Sequence, residues 1–250
     1  MLTKQGSWSY RFPLAEGSGS LPWDFMDYRI IGTTLPVLEL TVKPGESIVS
    51  GSGALSWMGG SIAMRSGTQL KSNGGFLGFA KRVFGGGPFF VNEYTAADEP
   101  GLLAFASRAP CHILPVEVEP GRAYLIHRRG FLCATPGLEL SVGFQQSIGS
   151  GLFGGSGFVL QKLSGRCKAW IELYGEVVGY ELGAGESLRV RPGHVGMFES
   201  TVRFRIARVQ GVRNVLLGGY GVFFATLTGP GKIWLQSLPL LSLTTTPIEN

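Results

Sequence analysis

The composition describes a folded, sheet-rich chain. Its 250 residues include 39 glycines, 44% hydrophobic residues and only 16% charged residues, which is too apolar a mixture for a disordered protein. No apolar run reaches the roughly 18 residues of a membrane-spanning helix, and the start of the chain lacks the apolar core of a secretion signal. We therefore expect a cytoplasmic protein, with a position at the membrane surface as the alternative.

Charge and cysteine content restrict the partners. A formal net charge of +5 permits an anionic partner, although an excess of this size is often only solvated surface. Cys111, Cys133 and Cys167 are odd in number and too widely spaced for a CxxC-type metal or redox pair. Buried, reduced thiols are the expected state.

The chain opens with a segment that differs from the rest. Residues 1–26 mix glycine and serine with four aromatic residues, Trp8, Tyr10, Trp23 and Phe25. We interpret them as an N-terminal extension before a single unit spanning 27–243, with a C-terminal tail at 244–250. The extension is either a disordered tail or a segment that docks on its own or a neighbouring subunit, because exposed aromatic side chains are costly in water.

A strand followed by a tight turn occurs three times. "LPVLELTVKPG" (35–45), "LPVEVEPG" (114–121) and "YELGAG" (180–185) each combine branched or aromatic residues with a glycine at the turn, namely Gly45, Gly121 or Gly185. Proline sets its own backbone angle for such turns, and glycine accepts the positive φ that they need. Strands and tight turns, rather than long helices, are predicted throughout.

Paired glycines followed by bulky apolar residues also recur, in "GGGPFF" (85–90), "GGSGFV" (154–159) and "GGYGVFF" (218–224). We interpret them as repeated sharp bends or close sheet contacts. The predicted fold class is all-β: a triplicated β-sandwich with repeats near 85–150, 151–217 and 218–243 joined with 27–84. One repeat is thus split between the termini, which should bring the strand near 35–42 close to that near 232–239. The glycines concerned are Gly85, Gly86, Gly154, Gly155, Gly218 and Gly219.

A dinucleotide-binding motif is the competing interpretation of the central glycines. Gly149, Gly151 and Gly154 have the GxGxxG spacing, and Glu172 follows at a distance suited to a ribose contact. The phosphates of a dinucleotide, however, need a helix that begins at the third glycine. Further glycines and strand-like residues follow instead, so no nucleotide cofactor is expected.

Three stretches together resemble a known family: "PVLELTVKPGESIVSGSGALSWM", "GSGLFGGSGFVLQKLSG" and "GGYGVFFATLTGPGKIWLQSLP". In eukaryotes this family is called altered inheritance of mitochondria protein 24, and the resemblance covers roughly residues 27–240. It implies tandem copies of the β-sandwich of the trp RNA-binding attenuation protein, with three subunits closing a ring. It also implies a homotrimer and a role in membrane organisation or stress maintenance.

Residues suited to catalysis are few. His112, His127 and His194 occur in different motifs, and none belongs to the tight HxH pair that a double-stranded β-helix metalloenzyme needs. Arg128 and Arg129 should disfavour protonation of His127 and metal binding by it. The glutamates at 172, 176 and 181 are explained as solvated sheet-edge charges. No enzyme, cofactor or metal site is predicted, and a hydrolase or metalloprotein is the disfavoured alternative.

Basic residues provide the candidate binding site. Arg203 and Arg205 alternate with apolar residues in "TVRFRIARV", so both side chains should project from the same face of a strand. On a trimer, the basic residues of each chain would appear three times around the axis. They would concentrate positive potential that could bind RNA phosphates or anionic lipid headgroups. A merely solubilising polar face is the other explanation. The predicted function is a non-enzymatic oligomeric scaffold or binding module, with RNA or other polyanion binding as the alternative. The candidate anion-binding residues are Arg128, Arg129, Arg203, Arg205 and Arg208.

Overall fold

The computed structural model describes residues 26–60, 62–67, 71–72, 75–76, 91–146, 157–208 and 223–239. Within them the chain is all-β, as predicted, and the one helical segment is the 3-10 turn Pro192–His194. The first nine strands are β1 (Asp27–Ile31), β2 (Val37–Val42), β3 (Ser47–Gly51), β4 (Trp57–Met58), β5 (Ile62–Gly67), β6 (Lys71–Ser72), β7 (Gly75–Phe76), β8 (Val91–Ala96) and β9 (Gly101–Ala106).

Twelve further strands follow in the described part of the chain. They are β10 (Cys111–Val118), β11 (Tyr124–His127), β12 (Phe131–Ala134), β13 (Leu138–Gln146), β14 (Phe158–Gly165), β15 (Cys167–Tyr174), β16 (Val177–Leu182), β17 (Ser187–Val190), β18 (Val195–Glu199), β19 (Arg203–Arg208), β20 (Phe223–Thr228) and β21 (Gly231–Gln236). All of their pairings are antiparallel.

The strands form two large sheets and three smaller ones. The two six-stranded sheets have the orders β10-β15-β12-β3-β8-β5 and β13-β14-β11-β18-β21-β16. The smaller sheets are β1-β2-β9-β4, β17-β20-β19 and the hairpin β6-β7.

The same pairing pattern occurs in three consecutive segments, which we call the first (37–106), second (111–174) and third (177–236). Leaving aside β6 and β7, each segment has six strands among its described residues. In each, the last strand pairs with the first and the third, and the fifth pairs with the second and the fourth. Neighbouring segments are joined by β3–β12 and β11–β18.

This pairing does not follow the predicted split of one repeat between the termini. Strands β20 and β21 pair with β16 to β19, within the third segment, and not with the strands of residues 27–84. β2 and β21, which were expected to lie close together, belong to different sheets. Leu238, which follows β21, packs on a hydrophobic cluster that includes Leu38 and Leu40 of the first segment and Trp170 and Tyr174 of the second.

The three turn glycines lie at corresponding places, where the first strand of each segment turns into the second. Gly45, Gly121 and Gly185 have φ values of 82°, 84° and 80°, which favour glycine because other residues rarely adopt them. The other glycines singled out in the sequence, at 85, 86, 149, 151, 154, 155, 218 and 219, lie outside the described residues, as do the N-terminal aromatic residues and the C-terminal tail.

The hydrophobic core consists of three clusters, and β15 contributes side chains from its two faces to two of them. On β15, Ile171 and Leu173 belong to the core of the second segment, whereas Trp170 and Tyr174 pack with the residues of the first. Trp170 has no exposed surface, and its ring meets that of Tyr28 edge-on at 5.4 Å. This packing fixes the first and second segments against each other, and the candidate site lies at their junction.

Candidate anion-binding cavity

A cavity of about 670 Å³ opens where the first segment meets the second. The first segment contributes the loop after β3 (51–54) and the residues after β9 (106–109). The second contributes the turn between β11 and β12, and Gln161, Glu172 and Tyr174 on β14 and β15. Ligand cavities in proteins commonly span 300–1,000 Å³. The volume therefore suits a small molecule.

Three arginines line this cavity: Arg108, Arg128 and Arg129. Arg128 and Arg129 lie in the tight turn after β11, which is closed by the hydrogen bond from the Gly130 amide to the His127 carbonyl oxygen at 2.8 Å. Arg108 follows β9, and its guanidinium donates to the carbonyl oxygen of Gly53. The structure thus places two predicted basic residues, Arg128 and Arg129, beside one that the sequence did not single out.

His127 anchors the turn that carries the two arginines. Its Nε2 lies 2.9 Å from the carbonyl oxygen of Glu172, and the Arg129 amide donates to its Nδ1 at 3.3 Å. An acceptor role for Nδ1 leaves Nε2 to carry the proton, so the ring is neutral. Burial lowers the pKa of His127 to about 4, and Arg129 and Arg128 act in the same direction. The sequence anticipated the effect of the arginines, but burial is the larger cause.

Arg128 and Arg129 place two adjacent positive charges at the cavity wall. Neither residue forms an ion pair with the described part of the chain. Burial, and then the neighbouring Arg129, lower the pKa of the Arg128 guanidinium. Two like charges on a partly desolvated turn repel each other, and a bound anion would offset that repulsion.

Glu172 is the acidic residue of the cavity, and its interpretation as a solvated sheet-edge charge was wrong. It lies on β15, an interior strand between β10 and β12, and is only partly exposed. Burial raises the pKa of its carboxyl, whereas a hydrogen bond from Ser107 and the charge of Arg108 oppose that rise. The exposed residues Glu176 and Glu181 fit the original interpretation better, since Glu181 lies on the edge strand β16.

Gln161 adds a buried polar atom beside the cavity. Its side chain is 3% exposed, and its Oε1 has no hydrogen-bond partner among the described residues. A buried acceptor without a donor costs about 1–3 kcal/mol. Such an atom at a cavity wall is therefore a candidate contact for a ligand donor.

The remaining predicted basic residues form a separate surface. Arg203 and Arg205 are exposed on β19, and Arg205 and Arg189 both pair with Thr226 on β20 from opposite sides. Side chains in such a row share one face, so Arg189 joins the pair although the sequence did not suggest it. Arg208 is exposed at the end of β19, where the alternation directs its side chain to the opposite face.

The other histidines have structural contacts. Nδ1 of His112 lies 2.8 Å from the Gly175 carbonyl oxygen, and Nδ1 of His194 lies 2.9 Å from that of Gln236. The described residues contain no group of three histidines, cysteines or acidic residues placed to hold a metal ion. Nor does any helix among them have the length and apolarity needed to cross a membrane.

Fold and cavity together define an all-β protein of antiparallel sheets with a basic, ligand-sized cavity at the junction of its first and second segments. The chain belongs to the AIM24 family, because the family model described as "Mitochondrial biogenesis AIM24" matches residues 28–238. This confirms the resemblance read from the sequence. None of the curated proteins shows significant similarity to the chain.

A solved structure shares the fold. The crystal structure of protein SPYM3_0169 from Streptococcus pyogenes is 19% identical in sequence and superposes with a TM-score of 0.66. The match covers 87% of this chain and 96% of that one. At this identity the similarity concerns the fold alone.

Sequence reasoning missed Arg108, Gln161 and Glu172 as cavity residues. Arg108 follows β9, whereas Gln161 and Glu172 lie on β14 and β15, so Arg108 meets the other two only after the sheets have formed. The available signal was the charge of Glu172 between apolar residues in "AWIELYG" (169–175), because charged side chains are rarely buried unless they are paired.

Proposed function

We propose that this protein is a non-catalytic binding module that takes a small anionic ligand into the cavity between its first and second segments. The observation that carries the proposal is the pairing of Arg128 and Arg129 on one tight turn at the cavity wall without a carboxylate partner in the described residues. Guanidinium groups bind carboxylate and phosphate through paired hydrogen bonds. Arg108 adds a third positive charge against the single negative charge of Glu172.

Calorimetric titration with inorganic pyrophosphate tests this proposal. We expect saturable binding to the full chain at low salt, weakened as ionic strength rises. Replacing both turn arginines with glutamine (Arg128→Gln with Arg129→Gln) should reduce affinity by about tenfold or more, because charge-assisted hydrogen bonds are lost. The matched control removes two arginines outside the cavity (Arg189→Gln with Arg205→Gln) and should retain binding. Equal loss in both variants, or no binding by the wild type, would refute a cavity site.

A second candidate function is polyanion binding on the exposed face of the sheet β17-β20-β19. It is supported by Arg189, Arg203 and Arg205, which share that face with Thr226 and Thr228. Single-stranded RNA phosphates would lie along such a row, and the affinity would fall steeply with salt. Fluorescence anisotropy of a labelled RNA oligonucleotide at two salt concentrations tests this. Here the variant lacking Arg189 and Arg205 should lose binding, whereas the variant lacking Arg128 and Arg129 should keep it.

We further propose that the three segments are copies of one sandwich and that the protein self-associates as a trimer. Two edge strands support association. β4 and β17 lie at sheet edges, whereas their counterparts β12, β18, β3 and β11 pair between segments. Trp57 and Met58 on β4 are 46% and 44% exposed. Sedimentation equilibrium should give three times the chain mass of 26.8 kDa, and a monomer at all concentrations would contradict it.

A further inference from the structure

We infer that the ligand of the cavity is a small anion that also carries hydrogen-bond donors, hydroxyl or ammonium groups, which contact Glu172 and Gln161. This inference rests on the proposed anion-binding function and names the chemistry of its ligand. It follows from comparing one position in two of the segments and from a buried acceptor that has no donor among the described residues.

Glu172 and Gln236 occupy corresponding positions. In the second segment Val118 pairs with Cys167, and in the third Leu182 pairs with Gly231, so the last strands start in the same register. Glu172 and Gln236 each lie five residues beyond these starting residues. One segment therefore carries a carboxylate where the next carries a neutral amide.

The amide of Gln236 serves the fold. It is 2% exposed, its Oε1 accepts a hydrogen bond from the Tyr174 amide at 3.1 Å, and its Nε2 donates to the Gly193 carbonyl oxygen at 3.0 Å. Both halves of the side chain are thus used inside the protein. A neutral side chain at this position satisfies the packing without placing a charge there.

The carboxylate of Glu172 does not have an equivalent set of partners. Ser107 donates to it, and Arg108 interacts with it through charge. The thiol sulphur of Cys111 lies 4.0 Å from its Oε1, at the limit of a weak contact. A carboxylate offers about four lone-pair sites, so acceptor capacity is left over, and Glu172 lines the cavity. Desolvating this charge destabilises the fold unless a donor meets it.

Gln161 gives the second, independent reason. It lines the same cavity, and its buried Oε1 lacks a donor among the described residues. The cavity therefore combines cationic donors on the Arg128–Arg129 turn with two acceptors, Glu172 and Gln161, on the adjoining strands. Simple phosphate would satisfy the arginines alone. A molecule that joins an anionic group to hydroxyl or ammonium groups would satisfy both.

Three phosphate monoesters that differ in their hydrogen-bond donors separate these contributions when each is titrated into the full chain at neutral pH. Pentyl phosphate presents the anion without further donors, ribose 5-phosphate adds hydroxyl groups, and phosphoethanolamine adds an ammonium group. We expect ribose 5-phosphate or phosphoethanolamine to bind at least about tenfold more tightly than pentyl phosphate, since a site built to hydrogen-bond a donor discriminates against analogues that lack it.

The isosteric substitution Glu172→Gln should remove most of that preference while leaving pentyl phosphate binding unchanged or tighter, because the negative charge is lost. Glu176→Gln, at an exposed position outside the cavity wall, is the matched control and should behave as the wild type. Equal affinities for all three phosphates, or a preference that survives Glu172→Gln, would overturn the inference and leave anion binding intact. Failure of every phosphate to bind would instead remove the proposed function.

Discussion

The Nε2 atom of His127 lies 2.9 Å from the carbonyl oxygen of Glu172. This hydrogen bond ties the turn that carries Arg128 and Arg129 to the strand that carries Glu172. It therefore sets the position of the cationic wall of the cavity relative to its acidic side chain. The same ring stacks at a tilt beside Tyr174, with 5.2 Å between centroids.

Acid should destabilise the protein through His127. Its folded-state pKa is about 4 against an ordinary 6.5, so below pH 6.5 the unfolded chain takes up a proton that the folded chain refuses. This loss of unfolding free energy is absent above pH 6.5 and grows as the pH falls. At pH 4 it approaches about 3 kcal/mol. Urea unfolding at a series of pH values measures it.

The variant His127→Gln isolates this effect, because its amide can keep the hydrogen bond to Glu172 but does not titrate. Burial raises the pKa of Glu172, whose protonation on acidification acts in the opposite direction. That opposing contribution is present in both proteins and cancels in the difference between them. A difference that stays constant from pH 6.5 to 4 would show that His127 is not held neutral.

Replacing Gly121 with alanine should destabilise the protein by about 1–2 kcal/mol through the backbone alone. A Cβ atom there would meet nothing within 4 Å, but φ is 84°. Gly60 is the matched control, since a Cβ there also meets nothing within 4 Å and its φ is not in the positive range. Thermal unfolding should show a lower Tm for Gly121→Ala than for Gly60→Ala, and equal values would refute the requirement for positive φ at the turn.

The three cysteines should resist alkylation while the protein is folded. Cys111, Cys133 and Cys167 are free and buried, as the sequence predicted. Burial raises the pKa of Cys111 to about 11 and that of Cys167 to about 12, so neither is a thiolate at neutral pH. Iodoacetamide labelling followed by mass spectrometry should modify them only in denaturant. Rapid labelling of Cys111 in the native protein would instead indicate an accessible, activated thiol.

Removal of the Trp170 side chain should have one of the largest effects of any single substitution. Trp170→Ala empties a position between the first and second segments and should cost about 3–5 kcal/mol. Trp57→Ala, at an edge strand where the ring is 46% exposed, should cost less than about 1 kcal/mol. Chemical denaturation measures both, and similar losses would show that Trp170 does not hold the segments together.

The sequence by itself determined the all-β class, the family and the three turns at Gly45, Gly121 and Gly185. These properties are local: alternation of polar and apolar residues selects strands, and a turn glycine acts through its own backbone angles. For the same reason the exposed pair Arg203 and Arg205 could be read from the spacing of one strand.

Only the tertiary structure decided which strands pair and which side chains share a cavity. Repeated motifs specify similar segments but not where one segment ends, so the pairing of β20 and β21 within the third segment differs from the split expected from the sequence. The cavity is lined by residues as far apart in the sequence as Gly53 and Glu172, which belong to different segments. Hydrogen bonding between strands and burial at their junction determine these long-range contacts, and neither is encoded in the periodicity of any one strand.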